Sequence, residues 1–352
     1  MPRKFKVGSL FAGIGGICSG FKQAGCDVVW ANEYNKNACL TYKENFPKTK
    51  LFKKDVNDFL DVDYPQLAFE LDESERSIKK LNLEKVDIIT SGFPCQAFSV
   101  AGYRQGFEDK KGRGNHFFST AKAIELMQPR AFLLENVKNL AGHDKGNTIK
   151  IIQETIFKLG YSYIQFCLNA KDYGDLPQNR ERIYIVGFRG EADYKNNDSN
   201  KADSILTHQF KIPEKIILKK KIHDLLFEDK QDDKFYYTRD HQYYDELDST
   251  MTSKDTIYQW RRVYVRENKS KVCPTLTANM GTGGHNVPLI RDAYGIRKLT
   301  PEECLRFQGF PEEFKYPADM SQSHKYKQAG NSVAVPVVKR IANEIVRLLS
   351  NK

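Results

Sequence analysis

The chain has 352 residues, enough for two domains or for one large domain with a sizeable insert. Hydrophobic residues make up 40% and charged residues 28%, a composition that can form a packed core and excludes a disordered or collagen-like chain. Lysine and arginine outnumber aspartate and glutamate by 55 to 45, and this net charge of +10 is compatible with a polyanionic partner.

The cysteines and the N-terminus bear on the compartment. The seven cysteines are odd in number and contain no CxxC pair, which argues against a disulfide framework and a cysteine zinc site. Met1–Gly20 is basic and then apolar, as in a secretory signal, but four glycines interrupt it and no cleavage site follows. The chain has no run of about 18 apolar residues, which a transmembrane helix needs. We therefore expect a cytoplasmic protein with no membrane partner.

The first 190 residues alternate short apolar strands with amphipathic segments, a pattern typical of a parallel α/β sheet. Strands are predicted over Phe5–Phe11, Val28–Asn32, Leu51–Lys53, Val86–Ser91, Ala131–Glu135, Tyr163–Leu168 and Arg182–Phe188, and helices over Phe117–Gln128 and Thr148–Leu159. Residues 191–296 are polar, lysine-rich and without clean periodicity, which predicts a separate, irregular domain. In the return segment 297–352, the helix predicted over Ser332–Leu349 is expected to pack on the first domain.

The first candidate site is the glycine loop after the first strand. Ala12–Gly16 leads from a strand into a helix, and such loops let a ligand approach the backbone and the helix N-terminus. Cys18 stands where a dinucleotide fingerprint needs its third glycine, which argues against a nicotinamide cofactor. Glu33 could take both hydroxyls of a ribose, and Asp55 an adenine amino group. These features suit S-adenosylmethionine, although a turn kept for tight packing remains the alternative.

Three further groups lie at strand ends. Cys95 follows the strand Val86–Ser91 in a polar, glycine-rich stretch, as a candidate nucleophile or as a buried structural cysteine. Glu135 ends another strand and could be a partly desolvated acid or a loop glutamate. Arg180 and Arg182 enter the last strand and could hold a carboxylate, a phosphate or a substrate oxygen, or pair with nearby Glu181.

These groups together resemble the DNA (cytosine-5) methyltransferases. The matching stretches occur in the family's order and span nearly the whole chain: Phe11–Gly16, Asn32–Tyr34, Gly92–Ser99, Glu135–Val137, Gln178–Tyr184, Leu299–Pro311 and Gln328–Pro336. The resemblance implies an α/β fold: a Rossmann-like S-adenosylmethionine-dependent methyltransferase sheet with a smaller, irregular target-recognition domain. Residues 1–190 would then form the catalytic and cofactor-binding domain, and residues 191–296 the target-recognition domain.

The resemblance also implies roles for individual residues. Cys95 would be the nucleophile that adds to carbon 6 of cytosine, Glu135 would protonate ring nitrogen 3, and Arg182 would hold the carbonyl oxygen, with Arg180 supporting the site. The cofactor-binding positions are Phe11, Gly13, Ile14, Gly15, Gly16, Glu33, Tyr34, Asp55, Val56, Pro94, Asn331 and Ser332. The expected DNA-binding positions are Gln96, Ser99, Arg113, Arg261, Arg262, Arg266 and Thr275. No metal is needed, and the cytosine must be flipped out of the duplex.

One stretch of the recognition region is rich in aromatic and basic residues, and the chain departs from the family's pattern at two places. Tyr258–Lys271 interleaves three aromatic residues, Tyr258, Trp260 and Tyr264, with basic ones, as expected for a surface that contacts phosphates and base edges, or for a solvated basic strand. Asp175 is an extra residue between Gly174 and Leu176, so the family's pattern does not predict the path of the backbone to Arg180. Asn115–His116 replaces the usual Thr-Leu pair.

The predicted function is methylation of cytosine within a short duplex DNA sequence, in a restriction–modification system that protects host DNA. The enzyme is expected to act as a monomer, without a stable complex with its cognate restriction endonuclease. Three alternatives stay open: a tRNA cytosine-5 methyltransferase, a catalytically silent DNA-binding regulator and a nicotinamide oxidoreductase. The large recognition region, the intact set of Cys95, Glu135 and Arg182, and the missing glycine argue against them in turn.

Overall fold

A computed structural model of the chain describes residues 4–60, 83–94, 116–190, 205–261, 264–282 and 286–351. Within these ranges a first sheet has the strand order β3-β2-β1-β4-β5-β7-β6. Its strands are β1 (Lys6–Leu10), β2 (Asp27–Asn32), β3 (Lys50–Phe52), β4 (Ile88–Ser91), β5 (Ala131–Val137), β6 (Ile164–Asn169) and β7 (Glu181–Phe188). Each of the seven predicted strands lies on one of these, with ends that differ by no more than two residues.

The sheet is mostly parallel, as predicted, and β7 is the strand that runs against its neighbours. Strands β1 to β5 pair in parallel, whereas β7 is antiparallel to both of its neighbours, β5 and β6. The connection from β6 to β7 contains only the four-residue helix Ala170–Tyr173 and a loop. A parallel crossover usually needs a dozen or more residues and a full helix, so this short connection reverses the chain instead. The reversal brings the start of β7 to the end of β5.

Helices flank this sheet and extend beyond it. They are α1 (Gly16–Gln23), α2 (Lys36–Asn45), α3 (Val56–Leu60), α4 (His116–Met127), α5 (Asn147–Lys158), α6 (Ala170–Tyr173), α7 (Ile205–Gln209), α8 (Tyr244–Thr250), α9 (Pro301–Phe307), α10 (Gln322–Asn331) and α11 (Val335–Ser350). The last helix begins three residues later than predicted because Ser332 is extended and Pro336 lies in the first turn, where a missing N–H costs nothing. None of the helices in the described ranges is long and apolar enough to cross a membrane.

The sheet is buried on both faces. On one face, α1 and α11 pack against each other over a cluster that includes Phe21 and Ile341. On the other face, α3, α4 and α5 cover a cluster that includes Trp30 and Phe117. Arg130 lies beside the cluster under α1 and α11. Its guanidinium packs over the ring of Phe5 and donates to the carbonyl of Leu349 at 2.9 Å. The two ends of the described chain therefore meet at one side chain.

A second, antiparallel sheet has the order β11-β10-β8-β9 and lies within the region predicted to be irregular. Its strands are β8 (Tyr258–Trp260), β9 (Val265–Glu267), β10 (Leu289–Arg291) and β11 (Ile296–Lys298), so β11 spans the predicted boundary at residues 296 and 297. Tyr258 and Trp260 are buried in the cluster beneath this sheet, with Leu247 and Val265. The expectation that they contribute to a DNA-contacting surface is therefore wrong: their rings form the core of the sheet, and alternation along the strand turns only the residues between them outward.

A buried ion-pair network joins the second sheet to the helices that follow. Arg297 is fully buried on β11 and donates to both carboxylate oxygens of Glu303 at 2.7 Å and to Asp292 at 2.6 Å. Glu303 lies in the first turn of α9, where it forms a capping box with Thr300, and it also accepts the backbone N–H of Phe227. The Glu303 carboxylate thus contacts the second sheet, the start of α9 and the loop at Phe227.

Candidate active site

The glycine loop forms the first wall of the site. Phe11 and Gly13 both have positive φ, and the loop turns sharply from β1 into α1. A Cβ added to Gly13 would meet nothing within 4 Å, so open space lies beside its backbone. A Cβ on Gly16 would lie 2.5 Å from Ser332 Oγ and 2.9 Å from Val333, so the start of α1 needs glycine to approach this segment.

Glu33 is fixed at the end of β2 by backbone donors. Its Oε2 accepts the N–H of Gly13 at 2.8 Å, and its Oε1 accepts the N–H of Asn35 at 2.7 Å. The side chain of Asn35 then accepts the N–H of Ala38 and caps α2. Burial raises the pKa of the Glu33 carboxyl, and these backbone hydrogen bonds act in the opposite direction. The carboxylate is thus held at the loop with lone pairs left for a ligand.

The segment that leads to Asp55 is tied to the end of β2. Asn32 donates to the carbonyls of Phe52 at 3.3 Å and Lys54 at 2.9 Å. One Asp55 oxygen accepts the N–H of Asn57 at 2.9 Å, at the start of α3.

The other cofactor positions predicted around the loop differ in exposure. The side chains of Ile14 and Val56 are buried in apolar clusters, whereas those of Tyr34 and Pro94 are exposed. Ile14 and Val56 can therefore offer a ligand only their backbone.

Glu135 and Arg182 form the polar centre of the site. Val137 on β5 pairs with Arg182 on β7, and Arg182 Nε lies 3.2 Å from Glu135 Oε1. Glu135 is 9% exposed, and burial raises the pKa of its carboxyl while Arg182 and Arg180 oppose that rise. Such a carboxyl keeps its proton to a higher pH than an exposed glutamate and still has a charged partner that fixes its position.

The strand β4 delivers the next segment to this centre. Asn136 Nδ2 donates to the carbonyl of Phe93 at 2.8 Å, and a Cβ on Gly92 would lie 3.6 Å from Glu135 Oε2. The chain thus passes the Glu135 carboxyl at Gly92, two residues before Pro94. Five predicted site residues lie outside the described residues: Cys95, Gln96, Ser99, Arg113 and Arg262.

Arg180 is buried and holds backbone segments together rather than lining the site. Its guanidinium donates to the carbonyls of Leu276 at 2.7 Å, Gly330 at 3.2 Å and Ser332. Burial and the neighbouring Arg182 lower its pKa to about 9, which still leaves it charged at neutral pH. Its backbone N–H donates to Asn169 Oδ1 at 3.1 Å.

Thr275 and Gln178 join the recognition region to the segment that leads into β7. Thr275 Oγ1 donates to the carbonyl of Asn179 at 2.6 Å. Gln178 is fully buried, donates to the carbonyl of Phe307 at 2.7 Å and accepts the N–H of Leu276 at 3.3 Å. Three distant segments of the chain therefore meet at Gln178 and Asn179, just before β7.

The comparisons with known proteins agree with this geometry. The family model described as C-5 cytosine-specific DNA methylase matches residues 5–347. The chain belongs to that family. It is 52% identical over 345 residues to the type II methyltransferase M.Bsp6I of Bacillus sp. (strain RFL6), covering 97% of this chain and 98% of the relative. M.SsoII of Shigella sonnei is 36% identical over 99% of this chain and 82% of its own.

The fold is also that of solved structures. A mutant of Spodoptera frugiperda DNMT2 superposes with a TM-score of 0.67 at 21% identity, over 99% of this chain and 100% of the other. The methylase is a DNA cytosine-5 methyltransferase that uses S-adenosylmethionine as methyl donor. The glycine loop fits a nucleoside: space is open beside Gly13, and the buried Ser332 Oγ has no hydrogen-bond partner among the described residues. Asn331, next to it, is exposed.

The solvent face of the β8–β9 hairpin is basic. Arg266 lies opposite Gln259 across the hairpin, Arg261 Nη2 donates to Gln259 Oε1 at 3.1 Å, and Tyr264 is 52% exposed. This face of the methylase presents two guanidinium groups, a side-chain amide and an aromatic ring, the groups that contact phosphates and base edges.

Sequence analysis missed several residues that build the methylase's site. Asn136, Asn169 and Gln178 position the segments around Glu135 and Arg180 through hydrogen bonds that span up to 129 residues of chain. All three are amides next to predicted strand ends, which is a usable signal, but their partners lie far away in sequence. The ring of His116 lies 5.1 Å from that of Phe11, at a position noted only as a departure from the family.

Proposed function

We propose that the protein is the modification enzyme of a type II restriction–modification system. It methylates carbon 5 of a cytosine that is flipped out of a specific short duplex sequence, through a covalent adduct with Cys95. The observation that carries the proposal is the buried Arg182–Glu135 pair, 3.2 Å apart, beside the Gly92–Pro94 segment that leads directly to Cys95. The type II name of M.Bsp6I supports the protective role.

The proposed reaction divides between two ends of the site. The Cys95 thiolate adds to carbon 6 and forms a C–S bond, while Glu135 donates a proton to ring nitrogen 3 and Arg182 holds the carbonyl oxygen. Carbon 5 becomes nucleophilic and takes the methyl group, which S-adenosylmethionine supplies as an activated sulfonium methyl. Loss of the carbon 5 proton and breakage of the C–S bond, with return of the nitrogen 3 proton to Glu135, then restore the ring, the thiolate and the acid.

The remaining site residues hold the two substrates. Glu33 and Asp55 would bind the ribose and adenine, with Phe11, Tyr34 and Pro94 around them. The loop and segment that provide backbone or small polar contacts are Gly13, Ile14, Gly15, Gly16, Val56, Asn331 and Ser332. Arg180 acts as a positioning residue, because two of its guanidinium nitrogens donate to three backbone carbonyls.

DNA contacts are proposed for both the recognition region and the catalytic domain. On the recognition side they are Arg261, Arg262, Arg266 and Thr275, and on the catalytic side Gln96, Ser99 and Arg113. We propose the domain limits 1–190, 191–296 and 297–352, a cytoplasmic monomer, and no stable complex with the endonuclease. The contacts of Arg180 with residues 276, 330 and 332 lie within one chain and support a monomer.

The deciding experiment traps the adduct. Duplex DNA carrying 5-fluorocytosine at its target positions should form a covalent complex with the wild-type enzyme, because fluorine cannot leave as the carbon 5 proton does. Cys95→Ser should form none, because a hydroxyl is a far weaker nucleophile at neutral pH. Cys167→Ser, which changes an exposed cysteine on β6, is the matched control and should trap normally. Equal trapping by Cys95→Ser would overturn the assignment.

Substrate and target follow from labelled methyl transfer. Transfer to random duplex DNA and sequencing of the modified positions should yield one short motif, with little transfer to tRNA in competition. Preferred transfer to tRNA would replace the proposed function by the RNA-directed alternative. Arg261→Ala and Arg266→Ala should weaken DNA binding or broaden the motif while cofactor binding stays unchanged.

A further inference from the structure

Residues 210–221, which we call the connector, carry the chain from α7 toward the second sheet. They lie outside any helix or strand, and most of their side chains are exposed. Near the start of the connector, the N–H of Lys211 donates to Glu344 Oε1 on α11 at 2.8 Å. Further along, the N–H of Ile216 donates to the carbonyl of Asp172 on α6 at 2.8 Å. Backbone N–H groups therefore hold the exposed part of the connector on the first domain.

Asp175 fastens the far end of the connector. Its Oδ1 accepts the N–H of Lys219 at 2.7 Å and the N–H of Lys220 at 3.1 Å. Hydrogen bonds to a carboxylate are stronger than those to a neutral acceptor, and two successive donors fix the direction of the backbone as well as its position. Directly beyond them, Ile222 is buried in the apolar cluster that contains Leu276 of the recognition region. The connector is thus fixed just before the chain enters that cluster.

The loop of residues 175–179 also holds a second part of the recognition region. Cys273 donates its N–H to the carbonyl of Pro177 at 2.7 Å, and its own carbonyl accepts the N–H of Asn179 at 2.8 Å. Arg182 follows this loop at the start of β7. One loop therefore ties two parts of the recognition region, far apart in the chain, to the strand that carries Arg182.

The backbone conformation of Asp175 restricts which residues can stand there. Its φ is 49°, in the left-handed region that glycine, asparagine and aspartate accept most readily. Of these three residue types, aspartate and asparagine also offer a side-chain oxygen as acceptor. Asp175 is the residue by which the chain exceeds the family's usual pattern between Gly174 and Leu176. The extra residue thus adds an acceptor to the loop at the point where the connector passes.

We propose that Asp175 is a positioning residue that, by fastening the connector, keeps the recognition region aligned with the Glu135–Arg182 pair. This inference rests on the proposed role of the recognition region in binding DNA. Without the acceptor, the recognition region samples further orientations, and DNA that must reach both parts of the site binds only the aligned one. The apparent affinity for DNA then falls in proportion to the aligned fraction, while the reaction of correctly bound DNA is unchanged.

The test compares Asp175→Gly with Asp175→Asn. Both variants tolerate the positive φ and both remove the negative charge, but only asparagine keeps an oxygen that can accept the two N–H groups. The probe is a duplex oligonucleotide that carries the motif recovered by methyl-transfer sequencing. Asp175→Gly should bind it about three- to tenfold more weakly, as for one or two lost hydrogen bonds, with an unchanged single-turnover rate at saturating DNA. Asp175→Asn should bind it within about twofold of the wild type.

Charge and stability alone predict other results. Removal of a carboxylate beside Lys219 and Lys220 makes the surface more basic, which by itself strengthens the attraction to phosphates. A purely structural role would lower the urea midpoint of Asp175→Gly and leave the DNA affinity of the folded enzyme unchanged. Unchanged or tighter DNA binding by Asp175→Gly, or equal weakening in both variants, would contradict the inference.

Glu344→Ala is the matched control, because it frees the connector at its other end, away from the loop before β7. It should keep the wild-type DNA affinity. Amide hydrogen exchange should show faster exchange at Lys219 and Lys220 in Asp175→Gly, with wild-type rates there in Glu344→Ala. A loss of DNA affinity as large in Glu344→Ala would mean that the connector as a whole, rather than Asp175, sets the alignment, and the inference would be wrong.

Arg261→Ala and Arg266→Ala separate failure of the inference from failure of the proposed function. If these variants weaken DNA binding while Asp175→Gly does not, the inference fails and the proposed DNA-contacting surface stands. If neither arginine variant changes DNA affinity or the methylated motif, the proposed role of the recognition region is itself wrong. Binding of S-adenosylhomocysteine, which is not consumed, should be the same in all of these variants and reports that each is folded.

Discussion

Two buried carboxylates, Glu33 and Glu135, show how partners separate the roles of one residue type. Burial raises the pKa of both. Glu33 accepts two backbone N–H groups, which favour the ionised form and suit a side chain that accepts hydrogen bonds from hydroxyls. Glu135 has an arginine on one side and Gly92 on the other, a setting that leaves it free to exchange a proton with a substrate.

Glu135→Gln should lower the rate of methyl transfer by about 10²–10⁴-fold, the usual contribution of a general acid, with S-adenosylhomocysteine affinity unchanged. If Glu135 is the proton donor that we propose, the wild-type single-turnover rate should fall as pH rises through its raised pKa. The Gln variant should lack that alkaline fall. Rapid-quench measurement across pH tests both statements.

Glu181→Gln is the matched control for this change. Glu181 is the neighbour of Arg182 on β7 and forms an exposed ion pair with Lys138. Its variant should keep the wild-type rate and pH profile, because exposed pairs contribute little. An alkaline fall that persists in Glu135→Gln would assign that limb to another group.

At the scale of elements, the strand–loop–helix unit from β1 to α1 depends on glycines for two separable reasons. Gly13 and Gly25 both have positive φ, and a Cβ at either would meet no atom within 4 Å. Both substitutions to alanine therefore carry the same backbone strain, about 1–2 kcal/mol, without a clash. They differ only in place, since Gly13 faces the open space of the cofactor site and Gly25 follows the other end of α1.

Gly13→Ala should lower the free energy of unfolding by about 1–2 kcal/mol and also weaken S-adenosylhomocysteine binding, because the added methyl occupies space that the ligand needs. Gly25→Ala should lose similar stability with no change in binding. Urea unfolding and calorimetry on the pair measure the two effects. Equal binding by both variants would mean that the nucleoside lies elsewhere.

How much could be predicted from the sequence also differs by element. Strands β1 to β7 were located because buried strands have apolar runs, but the direction of β7 depends on how its connection folds. Glu135 and Arg182 were each found, yet their contact exists only because β7 is antiparallel. Tyr258 and Trp260 were misassigned because an aromatic–basic alternation fits both a binding surface and a strand with one buried face.

For the molecule as a whole, the network of Arg297, Glu303 and Asp292 couples the second sheet to the rest of the protein. Arg297→Met should destabilise the enzyme by about 3–5 kcal/mol, because it leaves Glu303 buried without its partner. Urea unfolding should show either a lower midpoint or an early transition of the second sheet. Lys230→Met, which removes the exposed pair with Asp233, is the control and should leave the midpoint unchanged. A shift no larger than that of the control would mean that water solvates Glu303 in the variant.

The contacts of Arg130 with Phe5 and Leu349 bear on the order in which a gene could encode the segments of this fold. Since the two ends of the described chain contact the same guanidinium, a short linker could join them without disturbing the first sheet. New ends could then be opened at an exposed surface turn such as Glu228–Lys230. The order of the motifs along the gene is therefore not dictated by their arrangement in space, and a rearranged gene that begins within the recognition region could specify the same enzyme.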